Sequence, residues 1–133
     1  MSLYLLDTDI CSYIMKRSYP SVLKKLESIE LEKIAISVIT EAELLYGIKL
    51  SSSPKRSLAA FDDFIRHVRV LDWSRRAAEH YADIRANLHK RGALIGANDL
   101  MIAAHGRSLA ATVVTNNIRE FSRVKGLSVE NWV

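Results

Sequence analysis

The sequence predicts an α/β fold in which a central parallel sheet of about five strands is covered by helices on both faces. Three observations carry this reading. Short apolar runs alternate with longer amphipathic ones along the chain, the pattern of strands joined by helical crossovers. The first run, Ser2 to Leu6, stops abruptly on Asp7, as a strand buried on both faces does. Helical segments also outnumber simple crossovers, so at least one connection holds an inserted helical pair.

After the first strand, Thr8 or Asp9 is placed to cap a helix carrying Ile10, Cys11, Tyr13 and Ile14. Tyr19-Pro20 opens a second helix through Val22, Leu23 and Leu26, and Ile34 to Ile36 forms a second short, buried strand. Ser37 to Thr40 leads into a helix with Glu43, Leu44, Leu45 and Ile48. Ser53 is a cap and Pro54 a first helical residue for the next, which sets Leu58, Phe61 and Ile65 on one face and runs to about His67. The inserted pair is therefore placed between strands two and three, from Thr40 to His67.

Val68, Val70 and Leu71 form a third strand, at a sheet edge. Ser74 caps the longest helix, with Ala77, Tyr81, Ile84 and Leu88 at helical spacing and an ending at Lys90-Arg91-Gly92. Asn98-Asp99 starts a helix through Leu100, Ile102 and Ala103 to about Ser108. Ala111 to Val114 is the fourth strand, Ile118 to Phe121 a short helical turn, and Leu127 to Trp132 holds the last strand.

A chain of 133 residues is expected to form one domain, residues 1–133, large enough to bury a core without disulfide or metal staples. Its 49% hydrophobic and 26% charged residues are an ordinary globular balance. No apolar run approaches the roughly 18 residues of a membrane span, and no secretory signal is visible, so a cytoplasmic protein without membrane contact is expected. The single cysteine, Cys11, sits among apolar neighbours and reads as core. The net charge of +4 favours an anionic partner, although the basic residues occur as short dispersed pairs that mostly read as solvated helix surface.

Asp7, Glu43, Asp99, and Asn117 with Glu120 all fall at strand ends or helix starts. In a parallel sheet the strand carboxyl ends share one rim with the helices they feed, and ligands bind there. Each position has a purely structural alternative. Thr40 with Glu43, and Asn117 with Glu120, have capping-box spacing, and Asp99 suits a helix start. Together, however, crowded carboxylates raise one another's pKa and call for a cation. Oxygen-only ligands favour Mg²⁺ or Mn²⁺, and a metal bridging protein and phosphate oxygens suits a basic chain. The four histidines show no zinc spacing, His105 reads as packed, and no phosphate-cradling glycine loop is present.

Four segments, in order, resemble the PIN domain, and in detail the VapC-type ribonuclease toxins of VapBC toxin–antitoxin pairs. They are Leu5-Leu6-Asp7-Thr8, Ser37 through Thr40-Glu41-Ala42-Glu43 to Gly47, Ile95 through Asn98-Asp99 to His105, and Thr115-Asn116-Asn117-Ile118-Arg119-Glu120-Phe121. The resemblance implies a PIN-like three-layer α/β/α fold and a Mg²⁺-dependent endoribonuclease cutting structured RNA such as tRNA or rRNA loops. Asp7, Glu43 and Asp99 match the family's first three acids and its metal site. Asn117 stands where the family often has Asp, so either its amide oxygen or Glu120 fills the fourth position, and Asp9 replaces a usual Asn. Thr8 and Thr115 match polar positions able to orient a water or phosphate. The resemblance further implies a VapB-type antitoxin that neutralises the toxin and reaches promoter DNA on its behalf, and a homodimer. An interaction protein or a small-molecule phosphatase are the competing readings. The first has no use for three acids at these positions, and the second would want a closed pocket.

Overall fold

The computed structural model describes residues 2–133. Five strands, β1 (Tyr4–Leu6), β2 (Ile34–Ser37), β3 (Arg69–Leu71), β4 (Thr112–Val114) and β5 (Ser128–Glu130), form one sheet in the order β3-β2-β1-β4-β5, with every neighbouring pair parallel. β1 is central, with Leu5 opposite Ala35 on one side and Val113 on the other. Its alternation explains the layers. Leu5 packs with Ile84, Leu88 and Ile102 on one face, whereas Leu6 packs with Ile10, Val22, Phe61 and Phe64 on the other. The expected edge position of β3 holds, and β5 closes the opposite edge.

Seven α-helices make the crossovers: α1 (Thr8–Lys16), α2 (Pro20–Glu27), α3 (Val38–Leu50), α4 (Pro54–Ile65), α5 (Arg75–Lys90), α6 (Ala97–Ser108) and α7 (Ile118–Phe121), with a single 3₁₀ turn at Leu31–Lys33. The pair α3–α4 lies where the inserted pair is expected, but α1–α2 and α5–α6 are pairs as well. Two of the three breaks have a left-handed residue as local cause. Arg17 turns left-handed (φ 53°) between α1 and Pro20, and Gly92 (φ 62°) follows α5.

Three caps differ from the sequence reading. Asp7, not Thr8 or Asp9, caps α1, its carboxylate accepting from the Ile10 amide at 3.0 Å. Ser37 caps α3 by accepting from the Ile39 amide at 3.1 Å, so that helix begins earlier than Thr40. Ser53 stands at the start of α4, but its hydroxyl makes no cap bond; Ser51 Oγ accepts from the Ser53 amide instead. Ser74 caps α5 as its position predicts.

α6 is buried from Leu100 through Gly106 apart from the half-buried Met101, because it lies directly on the sheet. A Cβ at Gly106 would stand 2.5 Å from Cγ2 of Val113 on β4. In an open helix, Gly→Ala gains roughly 1 kcal/mol of propensity. Here the neighbour is a fully buried β-branched side chain with restricted χ1, and overpacking costs about 1–3 kcal/mol. Gly106→Ala should therefore lower the midpoint of thermal unfolding; an unchanged or raised midpoint would show that α6 and β4 are not in close contact.

Candidate active site

The strand order reverses between β1 and β4, since β2 and β3 lie on one side of β1 and β4 and β5 on the other. Open α/β sheets leave a crevice at that point, beyond the strand carboxyl ends. Asp7 follows β1, and its amide donates to Val114 O at 2.9 Å; Thr115 follows β4, and its amide donates to Glu130 O at 2.9 Å. The ladder thus holds both residues at the crevice.

Asp7 is only 4% exposed, and burial pushes its carboxyl up to about 6, with the charges of Asp9 and Asp99 adding to the effect. The Thr115 hydroxyl and the Ile10 amide, both bonded to the carboxylate, work in the opposite direction. Asp99 lies in the first turn of α6. Its pKa is raised, first by burial, with the negative charges of Glu43, Asp9 and Glu120 contributing. Asp7, Asp9, Glu43, Asp99 and Glu120 therefore share one electrostatic neighbourhood.

Asn117 Nδ2 donates to Asp99 Oδ2 at 3.0 Å. A carboxylate can only accept here, so the amide nitrogen must face it and the amide oxygen points elsewhere. Where a fourth acid would repel Asp99, Asn117 holds it. Glu43 is gripped on both oxygens, by Thr8 Oγ1 at 2.6 Å and Asn98 Nδ2 at 3.0 Å. Glu120 makes no side-chain hydrogen bond or ion pair with the described residues, and its negative charge acts on Asp99.

Neither expected capping box is made. Because α3 starts at Val38, Glu43 sits in its second turn, out of reach of a cap, and the buried Thr40 hydroxyl has no partner among the described residues. Asn117 precedes α7 without a side-chain cap bond, and its own amide donates to Thr115 Oγ1 at 2.8 Å. Thr8 Oγ1 donates to Glu43, and Thr115 Oγ1 accepts from the Asn117 amide. The role of Asn98 was not foreseen; its place one residue before Asp99, at the start of the same helix, was the available signal. His105 and Cys11 are packed, as expected. His105 is buried with Nδ1 2.8 Å from Ser37 Oγ, and burial pushes its pKa down and that of the Cys11 thiol well up.

Asp7 and Asp99, with Glu43 beside them, supply only oxygen donors and a concentration of negative charge. Among the described residues, no three Asp, Glu, His or Cys side chains close into a ready-made metal cage. Mg²⁺ does not require one, since it keeps several waters and takes one or two carboxylates together with substrate oxygens. The donor set therefore fits a hard divalent cation and does not fit zinc.

The burial of Asp7 predicts a pH dependence. Because its folded pKa lies above its ordinary 3.8, the native state holds the proton more tightly. Its contribution to stability then falls as pH rises from about 4 to about 6 and stays at its lowest above that. Asn caps as well as Asp. In chelator, Asp7→Asn should be more stable than wild type at pH 7.5, by on the order of 2 kcal/mol, and should lose that advantage near pH 4. A difference that does not vary with pH, read by denaturant melts, would contradict the buried-charge account.

Residues 4–127 match the PIN domain family. Ribonuclease VapC2 of Haemophilus influenzae is 44% identical over 130 residues, covering 98% of each chain. The Shigella flexneri tRNA(fMet)-specific endonuclease VapC is 42% identical over 129 residues, covering 97% of each. Among solved structures, DNA-bound VapBC from Salmonella typhimurium superposes with a TM-score of 0.93 at 38% identity, covering 100% of both chains. Promoter-bound VapBC2 from Rickettsia felis gives 0.92 at 38% identity, covering 98% of this chain and 99% of the other. With the family match over residues 4–127, relatives at 42–44% identity along nearly the whole chain and a shared fold, this chain is a PIN-domain protein and belongs to the VapC ribonucleases of VapBC toxin–antitoxin pairs.

Proposed function

We propose that the chain is a Mg²⁺-dependent endoribonuclease toxin that cuts structured RNA, such as tRNA or rRNA loops, and is neutralised by its own VapB-type antitoxin. The observation that carries the reading is the gathering of Asp7, Glu43 and Asp99 at the β1–β4 crevice, where Asp7 and Asp99 are short of compensating positive charge. In this reading Asp7 and Asp99 ligate the cation and Glu43 assists. A divalent cation bound there supplies Lewis acidity to a phosphate and a water of lowered pKa. Asn117 keeps Asp99 oriented, and Glu120 adds charge to the rim without ligating. The Shigella flexneri relative's name supports a tRNA loop among the possible targets, and unstacked loop bases are what proteins read in RNA. Mn²⁺ substitutes for Mg²⁺ in an all-oxygen site.

Cleavage of total RNA with and without chelator tests this. Asp7→Asn, Asp99→Asn and Glu43→Gln should each lower the Mg²⁺-dependent rate more than about a hundredfold. Asn117→Ala should cost about tenfold, the scale for partners that orient a metal's ligands. Full cleavage in chelator, or equal losses at Asp7 and Asn117, would contradict the assignment.

The antitoxin reading has its own support, because several similar structures are toxin–antitoxin complexes. An apolar cleft of about 380 Å³ opens at the far end of α1, lined by Ile14, Met15, Leu26, Leu31, Phe64 and Val68. The nine-residue α1 spans about 13 Å, so a few extended residues reach from this cleft to the acid rim. An apolar anchor followed by an Arg or Lys suits both ends. Exposed Leu45, Tyr46 and Leu50 on α3 form a second apolar face, which we assign to the homodimer. Co-expressed with the product of the adjacent reading frame, the chain should sediment as a dimer carrying that product. Inhibition of cleavage should then weaken as Mg²⁺ rises. A monomer, no bound partner, or inhibition indifferent to Mg²⁺ would each sink the corresponding part.

A further inference from the structure

We propose that Thr8 and Asn98 are positioning residues that clamp the Glu43 carboxylate beside Asp99 before any cation arrives, so that folding assembles the site's charge. The inference rests on the metal-dependent reading above. Glu43 is only partly buried, in the second turn of α3, on a side chain long enough to swing into solvent. Its charge opposes that of Asp99. Left alone, two like charges separate wherever a side chain is free to move. What opposes separation is a pair of donors from two other elements. Thr8, the first residue of α1, donates to Oε1 at 2.6 Å, and Asn98, in the first turn of α6, donates to Oε2 at 3.0 Å. A planar carboxylate bonded at both oxygens has its orientation set, and each oxygen keeps a free lone pair.

Neither donor is occupied with a helix end. Asp7 caps α1, and no side chain caps α6, which begins after Gly96. Both donors are neutral, so they hold Glu43 without cancelling its charge, whereas a Lys or Arg in either place would occupy the cation's role. Asn98 also adjoins Asp99 in sequence, so one helix start carries an acid and the donor that holds its neighbour.

Metal affinity reads the clamp without any need for cleavage. Mn²⁺ titrations by calorimetry should show Thr8→Val and Asn98→Ala each weakening binding about tenfold, with Thr8→Ser retaining wild-type affinity. In a Glu43→Gln background the same changes should have no further effect, because there is no charge left to hold. Thermal melts without metal should fall little, since a part-exposed bond is lost. Unchanged Mn²⁺ affinity in both variants, or an equal loss in the Glu43→Gln background, would overturn the clamp alone. A wild-type chain that binds no divalent cation would overturn the metal-dependent reading, and the clamp with it.

Discussion

Burying a carboxylate at the end of a central strand is unfavourable unless donors or a cation compensate for the lost water. Asp7 occupies such a place, and much of the local structure follows from how it is accommodated. Its backbone continues the ladder to β4, and its side chain starts α1 through the Ile10 amide. The Thr115 hydroxyl answers part of its charge. These are neutral donors, and they leave the carboxyl at about 6, far above its ordinary 3.8. The same device recurs around it, with Asn117 on Asp99 and Thr8 and Asn98 on Glu43. The rim is built from acids held by uncharged hydrogen-bond donors, which leave their negative charge uncancelled.

The architecture was legible because its signals are local and repeated. A strand buried on both faces must be apolar at consecutive positions, and Tyr4 to Leu6, Ile34 to Ile36 and Val113-Val114 are. Pro20, Pro54 and Gly92 mark helix boundaries by restricting or relaxing the backbone, and the structure breaks at each. The caps were less legible. Ser, Thr and Asp crowd most helix starts, and which one bonds depends on where the preceding strand releases the chain. A shift of three residues, from Thr40 to Ser37, removes the capping alternative for Glu43 and leaves its carboxylate to Thr8 and Asn98.

The gathering of these acids was legible from placement, because strand carboxyl ends in a parallel sheet must share a rim. Their holders were not. That Asn117 donates to Asp99 through its amide nitrogen is a matter of orientation that composition cannot give. Asn98 lies 55 positions from Glu43, a pairing that only the folded chain brings about. Thr8 looks like any polar residue after a strand until its hydroxyl is seen on Glu43 rather than on a backbone amide.

The proposed function turns on a divalent cation held at this rim by Asp7 and Asp99. Crystals grown with Mn²⁺ and measured near its absorption edge would locate the metal by anomalous scattering. The account predicts a peak between these two carboxylates, with Thr8 and Asn98 still bonded to Glu43 and Asn117 still bonded to Asp99. A peak elsewhere on the chain, or none at Mn²⁺ concentrations that saturate binding in solution, would contradict it.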